Sequence, residues 1–477
     1  MHVRRHLGAA VAALAGSALL LAACRGCSSE SAPGSESEDA GSDVDARRDA
    51  LTDPKREPDA NEQTQDSQPD AVTEHEGVPP GWQAWTGWSA ACPVYLPGAG
   101  AELPPPIEWE PCPAPVASGL ACKRMKNTWG GTVSLFNRLW RDPGSGTVLL
   151  AFARSASTNG IQLVPFIIAE VEGKVRHAQL YPLSYVPSDC DYFSQDFNDG
   201  LYVRHAPARQ NVAPDGATAT VEGAIGGSMS TAAPSVLLET AENSDWRLSK
   251  DWLVQLTLGR VIAWTWDTKA SQNVYWAGTD PNGLQPHVPI VRGRDIFFTV
   301  GNLQLCGVMS WSPDAGLRPL LRWYGDMTRG AGNFGTDGKD MVWTQSQGTG
   351  ACLNDGPNPE VWTAPYTTDP AVLQATSHRL RKDIRGMSPD NFAVGSGYAA
   401  RSDFFGTPAA SGLLIVRLAD GYSWTIPGVG DQEKFLYWGQ PLGFTDEELF
   451  VVAGTADMTG TVFRIRLDSL GPGTPPD

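Results

Sequence analysis

Positive charge is scarce in this 477-residue chain: 36 Lys and Arg stand against 53 Asp and Glu, for a net charge of −17. Binding nucleic-acid phosphates takes clustered Lys and Arg, and no such cluster occurs, so nucleic acid is not an expected partner. Long stretches with a 3.6-residue apolar period are also lacking, which argues against a helix bundle. Only seven His are present, and His177, His205, His287 and His378 stand singly. There is no H-E-x-x-H, and no Cys-x-x-Cys beyond the first 27 residues, so no metal is expected. The absence of G-x-S-x-G removes a nucleophile-elbow hydrolase. Gly330–Gly335 matches G-x-G-x-x-G as a string, but Thr336-Asp337-Gly338 leads straight into strand-like Met341–Thr344. A dinucleotide site needs a helix at that point, so a glycine-rich loop between repeats is expected instead.

Seventeen Trp, 51 Gly and 37 Pro point to turn-rich β structure. The one long apolar run, Gly8 to Ala23 behind Arg4 and Arg5, is too short to span a bilayer and ends in small residues before Cys24. That is the anatomy of a cleaved export signal. Leu21-Ala22-Ala23-Cys24 resembles the lipobox of bacterial lipoproteins. The resemblance implies signal cleavage before Cys24 and a covalent diacylglycerol and N-acyl chain on it, with no other cofactor. It also implies a membrane anchor in the bacterial cell envelope. Arg25, rather than Asp, follows the cysteine, which favours the outer membrane.

The composition then divides the chain. Residues 1–23 read as the lipoprotein signal peptide. Residues 24–78 hold the lipid-attachment Cys and an acidic tether, with 15 acidic and 4 basic residues between Ser28 and Val78. With almost no large apolar side chain, that segment cannot offset its ordering entropy and is expected to be disordered. Residues 79–126 form a Trp/Pro/Cys-rich extension, expected to be irregular and packed on the main domain. Residues 127–477 form the repeat domain.

In that domain strand candidates recur behind turn residues: Gly146–Leu150, Asp199–Val203, Gly259–Thr265, Gly293–Thr299, Gly338–Thr344, Asp390–Val394 and Glu448–Val452. A spacing of roughly 50 residues with Gly-punctuated strands resembles β-propeller repeats. The expected fold is all-β, a seven-bladed propeller, with six or eight blades also compatible with the uneven spacing. The last unit lacks an outer strand, and Thr132–Phe136 is the segment expected to fill it and remove an open edge.

Six Cys in the folded part of an exported chain suggest disulfides. Cys306 with Cys352, in neighbouring units, is the preferred pair, and Cys112 with Cys122 is a short-range one. Asp295 and Asp340 follow a basic residue at the same point of two consecutive units. They are candidate carboxylates at the mouth of a channel, or turn residues holding backbone amides. The favoured function is a lipid-anchored binding or scaffold protein presenting its repeat domain to a protein or glycan partner, more readily than an enzyme. The alternatives are an enzyme acting on envelope or extracellular polysaccharide, and an assembly factor of the outer membrane.

Overall fold

Strands and tight turns make up nearly all of the described chain, with one short helix, Pro370–Thr376, among the described residues. The computed structural model describes most of residues 77–476; residues 1–76, 348–359, 383–391, 404–411, 428–435 and several shorter stretches fall outside the description. Leu21, Ala22, Ala23, Cys24, the acidic tether and Cys352 all lie outside the described residues.

Among the described residues, seven antiparallel sheets succeed one another along the chain. The first contains Leu139–Arg141, Thr147–Ala151, Phe166–Val171 and Val175–Leu180; the second, Gln195–Asn198, Leu201–Val212, Thr218–Ser228 and Ser235–Thr240. The third runs Asp245–Leu248, Trp252–Thr257, Arg260–Thr265 and Ser271–Trp276. In the fourth, Gln285–Pro286 and Ile290–Arg292 both pair with Asp295–Gly301, followed by Cys306–Ser312 and Gly316–Leu321. The fifth has Arg329–Thr336, Asp340–Gln347, Glu360–Pro365 and His378–Lys382, and the sixth Ala393–Gly395, Tyr398–Asp403, Gly412–Arg417 and Ser423–Pro427. Strand neighbours in sequence are neighbours in space, so the pairing is local and up-and-down.

The seventh sheet breaks that rule. Leu436–Phe444, Glu448–Thr455 and Gly460–Arg466 are joined on the outside by Cys122–Met125 and then Trp109–Pro111 from the N-terminal extension. Arg124 pairs with Phe463 and Cys122 with Ile465. Leu436–Phe444 also lies against Leu139–Arg141, so the last sheet meets the first. The outer-strand place is therefore not filled by Thr132–Phe136; Thr132–Ser134 pairs with Ala153–Ser155 in a separate two-stranded ladder. Physical fit explains the difference. Cys112 and Cys122 join the core of Leu413, Ile415, Val451 and Phe463, while Trp109 lies over the Arg464 guanidinium at 4.8 Å. Arg464 in turn holds Glu448 at 2.6 Å. Cys122–Met125 lies between Gly460–Arg466 and Trp109–Pro111, with Lys123 exposed on one face and Arg124, on the other, bonded to Glu110 at 2.6 Å.

The rest of the extension builds a sheet outside the series: Trp82–Trp85, Val94–Pro97, Tyr185–Pro187 and Ile161–Leu163. Thus the extension contributes four short strands to two sheets, with turns and irregular segments between them among the described residues. The C-terminal tail, too rich in Pro and Gly for a strand of its own, makes a bridge between Thr474 and Ser423 and covers part of the sixth sheet's outer edge.

Two sequence repeats map to unexpected strands. Gly259–Thr265 contains the third strand of its sheet and Asp390–Val394 runs into a first strand, whereas the other five copies contain second strands. In the third sheet the second strand, Trp252–Thr257, follows Ser249-Lys250-Asp251, where Ser249 Oγ accepts from the amides of Asp251 and Trp252 in place of a glycine turn. Gly330–Gly335 is a strand rather than a loop. A Cβ on Gly335 would come within 2.3 Å of the Phe392 carbonyl oxygen, so its lack of a side chain lets the sixth unit approach.

Candidate binding cleft

Trp88 is the residue around which the most built surface feature forms. Its ring lies on the second sheet, where a Cβ on Gly223 would come within 2.8 Å of it, so only glycine admits the indole there. The side chain is 1% exposed, and its Nε1 donates to the Pro207 carbonyl at 2.8 Å. Arg209 closes over the other side: its guanidinium sits 4.3 Å from the ring centroid, donates to the Trp88 carbonyl, and pairs with Glu239 at 2.5 Å. The Cys92–Cys190 disulfide ties the next turn down, and Tyr192 donates to the Cys92 carbonyl at 2.7 Å. Burial pushes the Tyr192 hydroxyl's pKa up, opposed by the nearby Arg204 charge, so it stays a neutral donor. Arg204 itself is brought down to about 10, chiefly by burial.

Between residues 86–92 of the extension and residues 208–210 of the second sheet lies an open cleft of about 610 Å³. Ser89, Ala90 and Ala91 contribute small side chains, and Arg209 is its charged wall. The arrangement is a surface recess beside a buried indole, with one cation held in its wall. It holds no paired acid and base.

Asp295 and Asp340 stand at strand starts in consecutive sheets, as their spacing indicated. No hydrogen bond or ion pair among the described residues joins them. Asp295 accepts from the Tyr366 hydroxyl at 2.6 Å, and the Tyr366 amide donates to the Lys339 carbonyl. Asp340 donates its amide to Asp337 Oδ1 at 2.8 Å, and its carbonyl accepts from Thr336 Oγ1. Partial burial and the Asp337 charge raise the Asp340 carboxyl's pKa, with Lys339 opposing. Both residues belong to a row of turns that stitches the second to the fifth sheets together. Leu248 donates its amide to Asp196 Oδ2 at 3.0 Å, Ser249 Oγ donates to the Gly293 carbonyl, and Arg292 donates twice to the Thr336 carbonyl.

Cys112 and Cys122 are joined, with Cα atoms 5.5 Å apart. The Cys92–Cys190 bond, across 98 residues, had no signal in the spacing. Cys306 begins a strand of the fourth sheet, and its pairing with Cys352 lies outside the described residues. Sequence reading also passed over His205, which is 8% exposed in a strand with Nε2 3.6 Å from Glu222 Oε2. Nearby, Gln255 links Thr240, Ser244 and Trp264 between the second and third sheets. The available signal was alternation: His205 and Val203 share one face of a strand whose other face carries Arg204 and Ala206. Among the described residues no group of three His, Cys, Asp or Glu could hold a metal ion.

No protein-family model matches the sequence, and no match is found among curated proteins. Solved structures do resemble it in shape. The oligogalacturonate lyase of Vibrio parahaemolyticus aligns at 9% identity with a TM-score of 0.48, over 76% of this chain and 97% of that one. The β-propeller domain of the Trilobed protease from Pyrococcus furiosus aligns at 11% and 0.39, over 72% and 98%. A prolyl endopeptidase aligns at 13% and 0.46, over 72% of this chain but 49% of its own. Likenesses this distant transfer no chemistry. The succession of local up-and-down sheets, with the last against the first, decides the architecture. The fold is a β-propeller. As in other propellers, the sheet series is the scaffold and the loops and added strands make its surfaces.

Proposed function

We propose that this propeller is a lipid-anchored protein of the bacterial cell envelope that binds or scaffolds a protein or glycan partner. The observation that carries the anchoring is Leu21-Ala22-Ala23-Cys24 at the end of a short apolar run. A thioether-linked diacylglycerol plus an amide-linked chain supplies the multiple acyl groups that stable anchoring requires. Arg25 after the cysteine favours the outer membrane. The cleft beside Trp88 supports a binding role, because it sets the Arg209 side chain in the wall of a surface recess.

The test is acylation of the full chain in a Gram-negative host. Metabolic labelling with a palmitate analogue is expected to mark the wild type and not Cys24→Ala, which moves to the soluble fraction. Equal labelling of both chains overturns the anchoring. Turnover of envelope glycans by the purified protein overturns the binding reading in favour of an enzyme.

A further inference from the structure

Arg209 is the one charged group among the described residues that line the cleft beside Trp88. Its position does not depend on its carboxylate partner. The guanidinium stacks 4.3 Å from the Trp88 ring centroid and donates to the Trp88 carbonyl, so the extension alone holds it in the cleft wall. Glu239 reaches it from the outer strand Ser235–Thr240 and is not part of the cleft lining. The two side chains are 27% and 44% exposed. An ion pair this open contributes little, because water and salt compete for both charges.

Other arginine–carboxylate pairs are built differently. Arg464 and Glu448 are largely buried, with Trp109 over the guanidinium. Arg417 with Asp420 and Arg466 with Asp468 join residues two or three apart and brace their own turns. Arg209 and Glu239 lie thirty residues apart, and the cation borders a cavity of about 610 Å³, within the size range of ligand sites.

We infer that the cleft takes a uronic-acid glycan, whose carboxylate displaces Glu239 from Arg209. This rests on the binding reading above and names the ligand class. Arg209 stays fixed by Trp88 when Glu239 swings into water, so the site is organised before the ligand arrives. Charge matches one carboxylate to one guanidinium, the pair the protein already makes with Glu239. A phosphate dianion would call for further cations, and the described lining supplies none. The remaining groups favour a sugar over a protein. Protein hot spots seat aromatic or aliphatic anchors in apolar pockets, whereas this lining offers Ala90, Ala91 and the hydroxyls of Thr86 and Ser89. Hydroxyls donate and accept, as the hydroxyls of a sugar ring do.

Calorimetric titration of the full chain in detergent tests it with three probes. These are the glucuronic-acid hexamer of oxidised cellulose, cellohexaose with the same backbone and no carboxylate, and a hexaglutamate peptide. The uronate is expected to bind at least tenfold tighter than either of the others. Arg209→Gln is expected to weaken uronate binding at least tenfold, but it also loosens Trp88. Glu239→Gln leaves the stack and the Trp88 carbonyl bond in place and removes the internal competitor, so uronate binding should tighten about three- to tenfold. Unchanged or weaker binding by Glu239→Gln, equal binding of cellohexaose, or no uronate binding by wild type overturns the proposal. Hexaglutamate binding as tightly as the uronate overturns it in favour of an acidic protein partner. None of these readouts depends on acylation or turnover, so the ligand class can fail while the anchored binding protein stands.

Discussion

The N-terminal extension and the row of inter-sheet turns both fasten this propeller, but by different means. The extension is held to the rest of the chain by the Cys92–Cys190 disulfide, by Trp88 in the second sheet and by Trp109 over Arg464, while Cys112–Cys122 closes a hairpin within it. The turn row is held by hydrogen bonds such as Leu248 to Asp196 and Tyr366 to Asp295. Connectivity explains the contrast. Consecutive sheets are already joined by a few residues of chain, so their turns need only set register. The extension pairs with segments far away in sequence, where loop closure costs more entropy, and covalent and aromatic anchors offset it.

That comparison ranks the expected effects of mutation. Replacing Cys92 and Cys190 together by Ala should cost the most, about 4–5 kcal/mol on the chain-entropy account for a loop of this length. Urea unfolding at neutral pH reads it; a loss below about 1 kcal/mol would show that Trp88 alone secures the extension. Replacing Cys112 and Cys122, ten residues apart, should cost less, about 2–3 kcal/mol. The order of the two losses matters most, and a reversal would break the connectivity argument.

Asp196→Ala should cost about 1–3 kcal/mol, because the buried Leu248 amide loses its acceptor. A thermal melt indistinguishable from wild type would show that water replaces the carboxylate there. The smallest effect belongs to Asp340→Asn. The Asp340 carboxyl's pKa is raised in the folded state, so ionising it opposes folding, and stability falls as pH rises through the elevated value. The asparagine variant should therefore match or slightly exceed wild type at pH 7, by less than about 0.5 kcal/mol after solvent screening. That margin should shrink as pH drops through the carboxylate range; a growing margin would contradict the sign.

How much of this was legible in the sequence depended on the range of the interaction. Strands behind Asp-Gly and Gly-Arg turns could be read because φ > 0 at Gly200, Gly293 and Gly338 is a local requirement that glycine advertises. Asp314–Gly316 and Asp420–Gly421 form turns before outer strands, and Asp369 caps the helix Pro370–Thr376. The strand Cys122–Met125 escaped because a short segment with Lys123 and Arg124 looks like a loop until Phe463 and Ile465 are beside it. The cleft escaped for the same reason: nothing local tells Trp88 from Trp85, and only Gly223, far along the chain, gives one of them a seat.

By itself the sequence determined the all-β class and the repeating turn-and-strand grammar, and it carries the Leu21–Cys24 lipobox resemblance, since each rests on residues within a few positions of one another. Tertiary structure alone decided which segment completes the seventh sheet, that Cys92 meets Cys190, and that the Asp295 carboxylate takes the Tyr366 hydroxyl. Those outcomes turn on complementarity between distant surfaces, and no local pattern encodes a partner about a hundred residues away.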